Sequence, residues 1–418
     1  MPGKSSRALL FAAVAVMQGC AFFTSNKPAA TGSGTIKIGL VGSFSGSNAG
    51  NGDTILNAAN MALAKINTAG VLAGQKLEII KGDDKSDPDT AATVAQQLIG
   101  QGAVAFIGPN SSGVAKKMLE TTAKPGKVAM ISPSATSPDF SDPSKIDSGG
   151  YFFRTVPSDA LQGKVLANKA TALGYKSLAV IHVENPYGTG LTNVLTTSFK
   201  ATGGTVLDLK YPEISDPQAQ AAYDYAALVK QALAANPSAI VLVAYPSEGS
   251  IVINEWLRAG QKRDLPWMFT DATDRQDFVD NIKDKSAVEN KFGTAPLTDP
   301  KFVELYSAQF NKADPGFDGG AAYDALCLIA LAIENGKAAT AASIRDNLRK
   351  VSGPAGTAFQ PDNIAAALAA AKAGTAVNYE GWSGPVDLDE HGDVTSGKYV
   401  IWSVKGGKVA NTTEVLSP

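Results

Sequence analysis

The chain has very few residues of the types that bind metals or act as nucleophiles. Its 418 residues include two cysteines, Cys20 and Cys327, and two histidines, His182 and His391. These four residues are far apart, whereas zinc ligands usually come in closely spaced pairs. Cys327 lies in the apolar run LCLI, where a buried structural cysteine is expected. We therefore predict no metal site, no cofactor and no nucleophilic role for Cys327.

The chain also has little net charge. Its formal net charge is −2, and charged residues make up 18% of the sequence. Nucleic-acid-binding proteins carry a basic patch or stripe, so this balance argues against a nucleic-acid partner. Hydrophobic residues make up 44% of the sequence, which is enough for a large core. The length suits two domains.

Residues 1–20 have the features of an export signal. Two basic residues precede an apolar stretch of ten residues, 8–17. A membrane-spanning helix needs about 20 apolar residues, whereas a stretch of this length suits a signal-peptide core. The segment MQGC resembles a bacterial lipobox, with Gln18 where a small or apolar residue is usual. We predict lipidation of Cys20; the alternative is ordinary signal-peptidase cleavage.

Residues 21–35 are expected to form a flexible tether, because most of this segment is rich in Ser, Thr, Gly, Ala and Pro. No later segment is expected to be long and apolar enough to span a membrane. The protein would then contact the membrane through its lipid anchor only. We expect an exported protein, either a periplasmic or a cell-surface lipoprotein.

The rest of the chain alternates short apolar strands with amphipathic helices. A strand is predicted at 36–42, a helix with apolar residues at helical spacing at 54–67, and the next strand at 76–80. The alternation continues to a strand at 267–270. This pattern predicts parallel sheets covered by helices on both faces. The expected fold is α/β, with two doubly wound parallel-sheet lobes.

Ligands of open α/β sheets bind beyond the carboxyl ends of the strands, where the strand order reverses. Two lobes whose strand ends face each other form a cleft. The segments that follow predicted strands are therefore candidate ligand contacts: 43–46, 109–113, 132–137, 184–188, 245–248 and 271–273.

Several segments, taken in order, resemble one known family. They are IKIGLVGSFSG, GDDKSDP, AFIGPNSSGVA, ISPSATSP, HVENPYGTGL, AAYDALCLIALAIENG and GPVDLDEHGD, and they extend from Ile36 almost to the end. The chain resembles the branched-chain amino-acid-binding proteins of ABC transporters. The resemblance implies the type I periplasmic binding fold and capture of a small amino-acid-like ligand between two lobes. It also implies delivery to an ABC transporter permease by a monomer.

The resemblance further implies a hinge of three chain crossings. The helix at 321–335 resembles a first-lobe helix of the family, so the chain must return to that lobe and leave it again. We expect the crossings near 154–157, 294–296 and 386–389. The predicted lobes are 36–155 plus 296–386 for the first, and 156–295 plus 387–418 for the second.

The family's site binds a zwitterion. Hydroxyl and backbone groups of the first lobe bind the α-carboxylate, and an acidic residue of the second lobe binds the ammonium group. By motif, Ser111 or Ser112 in GPNSSG offers a hydroxyl and an amide to the carboxylate. In SPSAT, Ser134, Ala135 and Thr136 contribute carbonyl, amide and hydroxyl groups. Neutral donors can hold an anion in this way without a buried arginine.

The second lobe is expected to close over the ligand with Tyr187 in NPYG and Tyr245 in VAYPSE. Asp271 follows the strand WMFT, where the family often has Glu, and would pair with the ammonium group. Several relatives place an aromatic residue against the ligand side chain, whereas this chain has Asn51. A roomier or more polar pocket is therefore expected. The simpler interpretation of the serines and threonines is that they cap helices.

Two other functions remain open. The same fold serves ligand-sensing receptor modules that bind an amide or a small carboxylate. Such a receptor would need a membrane span or a signalling domain, and the sequence indicates neither. As an enzyme, the protein could use Asp271 and Asp274 as paired carboxylates in glycoside chemistry. No G-x-S-x-G elbow, P-loop or metal motif accompanies them, so we predict no catalytic residue.

Overall fold

The computed structural model describes residues 34–260, 264–311 and 315–418, together with Gly3. The predicted lipidation site, Cys20, and most of the predicted signal and tether segments lie outside the described residues. The strands are β1 Thr35–Gly42, β2 Lys76–Asp83, β3 Ala103–Ile107, β4 Met130–Ser132, β5 Phe152–Arg154, β6 Ser177–Glu184, β7 Thr205–Pro212, β8 Ala239–Val243, β9 Trp267–Phe269, β10 Phe292–Pro296, β11 Thr357–Phe359, β12 Val377–Gly381, β13 Gly384–Pro385, β14 Tyr399–Lys405 and β15 Lys408–Leu416.

Helices alternate with most of these strands. The α-helices are α1 Asn51–Ala69, α2 Pro88–Gly100, α3 Ser112–Met118, α4 Lys124–Gly126, α5 Asp159–Ala172, α6 Pro186–Ala201, α7 Pro217–Ala222, α8 Tyr225–Ala234, α9 Pro246–Arg258, α10 Gln276–Asp280, α11 Pro300–Phe310, α12 Gly316–Gly336, α13 Ala341–Asn347 and α14 Ile364–Ala373. A π-helical turn, Leu119–Ala123, joins α3 to α4. Short 3-10 helices lie at Pro138–Ser141, Asp271–Thr273, Lys285–Val288, Leu348–Val351 and Pro361–Asn363.

The first sheet contains five parallel strands in the order β2-β1-β3-β4-β5. Neighbouring residues of its strands pack on opposite faces, as the period of two in a strand requires. In β3, for example, Ile107 packs in one core and Phe106 in the other. In β5, Phe153 and Phe152 divide in the same way. Both faces of the sheet are therefore covered, as the sequence predicts.

The second sheet has the order β15-β14-β10-β9-β8-β6-β7. Its strands β6 to β10 are parallel and repeat the order of the first sheet, so both are doubly wound about the same topology. The antiparallel strands β14 and β15 are a difference from the predicted all-parallel sheet. Gly406 and Gly407, both with positive φ (58° and 73°), form the tight turn between them. A small third sheet contains β11, β12 and β13.

The helix α12 lies in the core of the first sheet. By length and apolar composition alone, α12 could span a membrane; it is the one such helix found among the described residues. In the fold, however, 94% of its apolar segment is buried. Cys327, at its centre, is fully buried, as predicted. The expectation that no later segment passes such a test is therefore wrong, because a fully buried core helix has the same composition.

The chain passes between the two sheets after β5, after β10 and before β14. The first two passages lie where the sequence places the first two crossings. Near the third, Leu388 and Val394 pack in the core of the first sheet. This packing favours a third crossing between residues 394 and 399 over the predicted 386–389, and the lobe boundaries themselves stay a prediction.

Candidate functional site

A narrow cavity lies between the carboxyl-end loops of the two sheets. Most of its lining residues lie in the segments that follow β1, β3 and β4 of the first sheet and β6, β8 and β9 of the second. These are equivalent strands of the two sheets. The switch-point rule predicts this location for each sheet. The lining residues are Asn48, Asn51, Asn110, Ser111, Ser112, Ser134, Tyr187, Tyr245, Asp271, Ala272, Arg275, Phe317 and Asp318.

The loop after β3 contributes hydroxyl and amide groups. The Ser111 side chain caps α3 by accepting from the Val114 amide at 3.4 Å, so the helix-cap interpretation is correct for this serine. The Ser112 hydroxyl accepts from the Ser137 amide at 3.2 Å. The Asn110 side-chain oxygen accepts from the Ser43 amide at 3.1 Å. Its Nδ2 donor, by contrast, has no hydrogen-bond partner within the described part of the chain.

A buried arginine holds the loop after β4 in position. Arg154 in β5 is fully buried, and its Nη1 donates to the carbonyls of Ala135 and Ser137 at 3.1 and 2.9 Å. Its Nε donates to Asp393 at 2.7 Å. Burial acts to raise the pKa of Asp393, but the charge and hydrogen bond of Arg154, together with the Ser141 hydroxyl and His391, outweigh it and keep that pKa below its ordinary value. The ion pair therefore fixes the backbone of the SPSAT segment.

Two residues of the second sheet form the other wall. Asp271 follows β9 and is 3% exposed, and the Tyr187 hydroxyl donates to its Oδ1 at 2.9 Å. The Tyr187 ring stacks on Tyr245, with centroids 5.6 Å apart. The Tyr245 hydroxyl accepts from Asn185 at 3.1 Å, and Glu248 accepts from the Tyr245 amide at 3.2 Å. Both rings are thus held by hydrogen bonds at their edges.

A second buried acid, Asp159, lies close enough to Asp271 for their charges to interact. Burial, and then the charge of Asp271, hold the pKa of Asp159 well above its ordinary value. Burial raises the pKa of Asp271 to about 6, and the hydrogen bond from Tyr187 offsets part of this rise. When two buried carboxyl groups interact, one of them stays protonated. At neutral pH the pair therefore carries one negative charge.

Seven predicted residues line the cavity together: Asn51, Ser111, Ser112, Ser134, Tyr187, Tyr245 and Asp271. Ala135 and Thr136 are not among its lining residues; the Ala135 carbonyl accepts from Arg154, and the Thr136 carbonyl accepts from the Asp159 amide at 2.8 Å. Sequence reasoning missed Asn48, Asn110, Ala272, Arg275, Phe317 and Asp318 as individual lining residues.

The fold and the cavity define a two-lobed binding protein of the type I periplasmic binding class. The chain belongs to the family described as the receptor family ligand binding region, whose pattern matches residues 54–407. It is 29% identical, over 423 aligned residues, to the leucine-, isoleucine-, valine-, threonine- and alanine-binding protein of Pseudomonas aeruginosa. That alignment covers 99% of each chain, and the predicted family resemblance is confirmed.

Solved structures confirm the fold. The leucine-binding protein LivK of Thermotoga maritima superimposes with a TM-score of 0.75 at 23% identity, over 92% of this chain and 99% of that one. LivJ of Streptococcus pneumoniae, the substrate-binding protein of a branched-chain amino acid transporter in complex with isoleucine, gives a TM-score of 0.73 at 24% identity. That match covers 92% of this chain and 100% of LivJ.

Proposed function

We propose that this protein is an exported solute-binding protein that captures an amino acid between its two lobes and delivers it to an ABC transporter. The observation that carries the proposal is the pairing of neutral donors on one wall of the cavity with a buried acid on the other. An α-amino acid presents the complementary charges, a carboxylate and an ammonium group.

The α-carboxylate is assigned to the loops after β3 and β4. Ser112 and Ser134 line the cavity there, and the Nδ2 of Asn110 is a buried donor that lacks a partner among the described residues. A buried polar group without a partner costs about 1–3 kcal/mol. A ligand carboxylate that accepts from Asn110 would recover this free energy and so favour binding.

The ammonium group is assigned to Asp271. The Asp159–Asp271 pair carries a single negative charge at neutral pH, because burial and mutual repulsion keep one of its protons bound. One ammonium group neutralises that charge. A carboxylate-only ligand would instead bring a second negative charge into a dry cavity, which is unfavourable.

The relative from P. aeruginosa and the two Liv proteins support amino-acid binding, since each is named for it. LivJ, as the substrate-binding protein of a transporter, supports the transport role. Family membership likewise supports a binding protein and not an enzyme. As part of the same proposal, the mature chain is a monomer anchored through lipidated Cys20. We further propose that its lobes are formed around the two sheets and close over the ligand. The alternative role, a ligand-sensing receptor module, shares this site.

A thermal-shift screen tests the proposal. The protein would be heated with each of the 20 amino acids, with their deaminated acids, and with small amides. A ligand at 100 times its dissociation constant stabilises the folded state by about 2.7 kcal/mol. We expect one or more amino acids to raise the melting temperature. Stabilisation by amides or deaminated acids alone would favour the sensing alternative and contradict the amino-acid assignment.

A further inference from the structure

The cavity has a third region beyond the proposed carboxylate and ammonium positions. It is formed by the loop after β1, the segment after β9 and the first turn of α12: Asn48, Asn51, Ala272, Arg275, Phe317 and Asp318. Four of these six residues are polar or charged. Pockets for purely aliphatic groups are lined mainly by hydrophobic side chains, so this region is unusually polar for a leucine or valine side chain.

Two side chains of this region, those of Asn51 and Asp318, have an oxygen without a hydrogen-bond partner among the described residues, and only Asp318 is an acid. Its side chain lines the cavity, the residue is 6% exposed, and its Oδ1 has no hydrogen-bond partner in the described ranges. Burial raises its pKa to about 6, although the Ser134 hydroxyl, the Arg275 charge and a hydrogen bond from Asn51 offset part of the rise. Asp318 lies in the first turn of α12, where the helix dipole favours a negative charge. That interaction leaves the buried Oδ1 acceptor unsatisfied.

Arg275 does not fill this role, because its hydrogen bonds go elsewhere. Its Nε and Nη2 donate to the two carboxylate oxygens of Asp277, at 3.0 and 2.9 Å. The same Nη2 donates to the carbonyl of Ala49, in the loop after β1, at 3.1 Å. The guanidinium group is therefore held by Asp277, and Oδ1 of Asp318 remains available to a ligand.

The cavity adjoins a wider crevice at this end. The crevice has a volume of about 350 Å³ and shares Asp271, Arg275, Phe317 and Asp318 with the cavity. Asp274 and Asp277 also line it, so among the described lining residues the acids outnumber Arg275. A ligand side chain that passes Asp318 thus has room to extend, and the surrounding field favours positive charge.

We propose that the bound amino acid has a side chain with a hydrogen-bond donor, such as an amine or a hydroxyl, and that this donor pairs with Asp318. The inference rests on the proposed function and adds the substrate class. Because hydrogen bonds to an ionised carboxylate are about twice as strong as neutral ones, an amine should bind more tightly than a hydroxyl.

Matched isosteres test the inference on the unaltered protein. Calorimetry would compare threonine with valine, 2,4-diaminobutyrate with norvaline, and ornithine with norleucine. In each pair one methyl group replaces the donor at nearly constant volume. We expect the donor member of at least one pair to bind roughly tenfold to 100-fold more tightly. Equal or tighter binding of the apolar member in all three pairs would overturn the inference.

Variants connect the preference to Asp318. In Asp318→Asn and Asp318→Ala the preference should fall below about threefold, since the charged acceptor is gone. Asp274→Asn is the matched control: it removes the same charge from the crevice but not from the cavity. A preference that survives in both Asp318 variants, or that Asp274→Asn removes equally, would contradict a direct contact.

These outcomes separate the inference from the proposed function. If amino acids bind but apolar members are preferred, only the inference about Asp318 fails. If no amino acid of any kind binds, the proposed function fails first.

Discussion

The substitution Asp271→Asn should stabilise the unliganded protein while it abolishes tight ligand binding. Asparagine has the shape of aspartate and can still accept from the Tyr187 hydroxyl, but it carries no charge. Burial raises the pKa of Asp271 from 3.8 to about 6. Since one pKa unit corresponds to about 1.36 kcal/mol, the ionised carboxylate destabilises the folded state at neutral pH by up to about 3 kcal/mol.

The sign of this effect depends on pH. A carboxyl group with a raised folded-state pKa binds more protons in the folded state than in the unfolded state between about pH 4 and 6. Its destabilising effect is therefore complete above pH 6 and disappears below pH 4. Urea denaturation of the unliganded protein should show a more stable variant at pH 7.5 and little difference at pH 4.

Ligand binding should change in the opposite direction. Removing one partner of a buried charge pair typically costs 3–5 kcal/mol, so the affinity for an amino acid should fall by two orders of magnitude or more. Tyr187→Phe is the control: it removes a hydrogen bond to Asp271 and keeps the carboxyl group, and binding is compared well above pH 6 because losing that bond raises the pKa of Asp271 further. An Asp271→Asn variant that is less stable at pH 7.5 and binds its amino acid normally would refute the electrostatic reasoning.

Two further predictions rest on contacts in the structure, and a third rests on the sequence. Affinity should be about tenfold weaker at pH 5 than at pH 7.5, because Asp271, with a free-state pKa of about 6, must lose its proton to pair with an ammonium group; calorimetry in both buffers checks this, and an unchanged affinity would contradict it. Arg154→Met should cost about 3–5 kcal/mol in urea denaturation, since it leaves Asp393 buried without its partner, and a loss below about 1 kcal/mol would count against the ion pair as the support of the loop after β4. Cys20→Ser should release the protein from the membrane fraction of cells; a variant that stays membrane-bound would rule out the lipid anchor.

The sequence predicts much of this site because both sheets obey one rule. Functional side chains follow strands whose apolar patterns are clear, so Ser112, Tyr187, Tyr245 and Asp271 could be located from the strand ends. The same rule does not point to α12, because this helix follows α11 and not a strand. Asp318 was missed for this reason, since an acid in a first helical turn has an ordinary explanation.

Other differences come from contacts between distant segments. Asp159 follows the helix cap Ser158, and nothing near it in sequence indicates that the fold brings it to Asp271. The Arg154–Asp393 pair joins residues 239 positions apart, so no local pattern predicts it. The hairpin of β14 and β15 was locally predictable from the Gly406–Gly407 turn, although it lies outside the alternating pattern of strands and helices.

One calorimetric comparison tests the central claim most directly. An amino acid that stabilises the protein in the thermal-shift screen would be titrated beside its deaminated acid, which retains the carboxylate and the side chain but lacks the ammonium group. The account predicts that the deaminated acid binds at least 100-fold more weakly, since Asp271 would then face an anion in a buried cavity. Equal or tighter binding of the deaminated acid would contradict the assignment of Asp271 to the ammonium group and of the ligand to the amino acids.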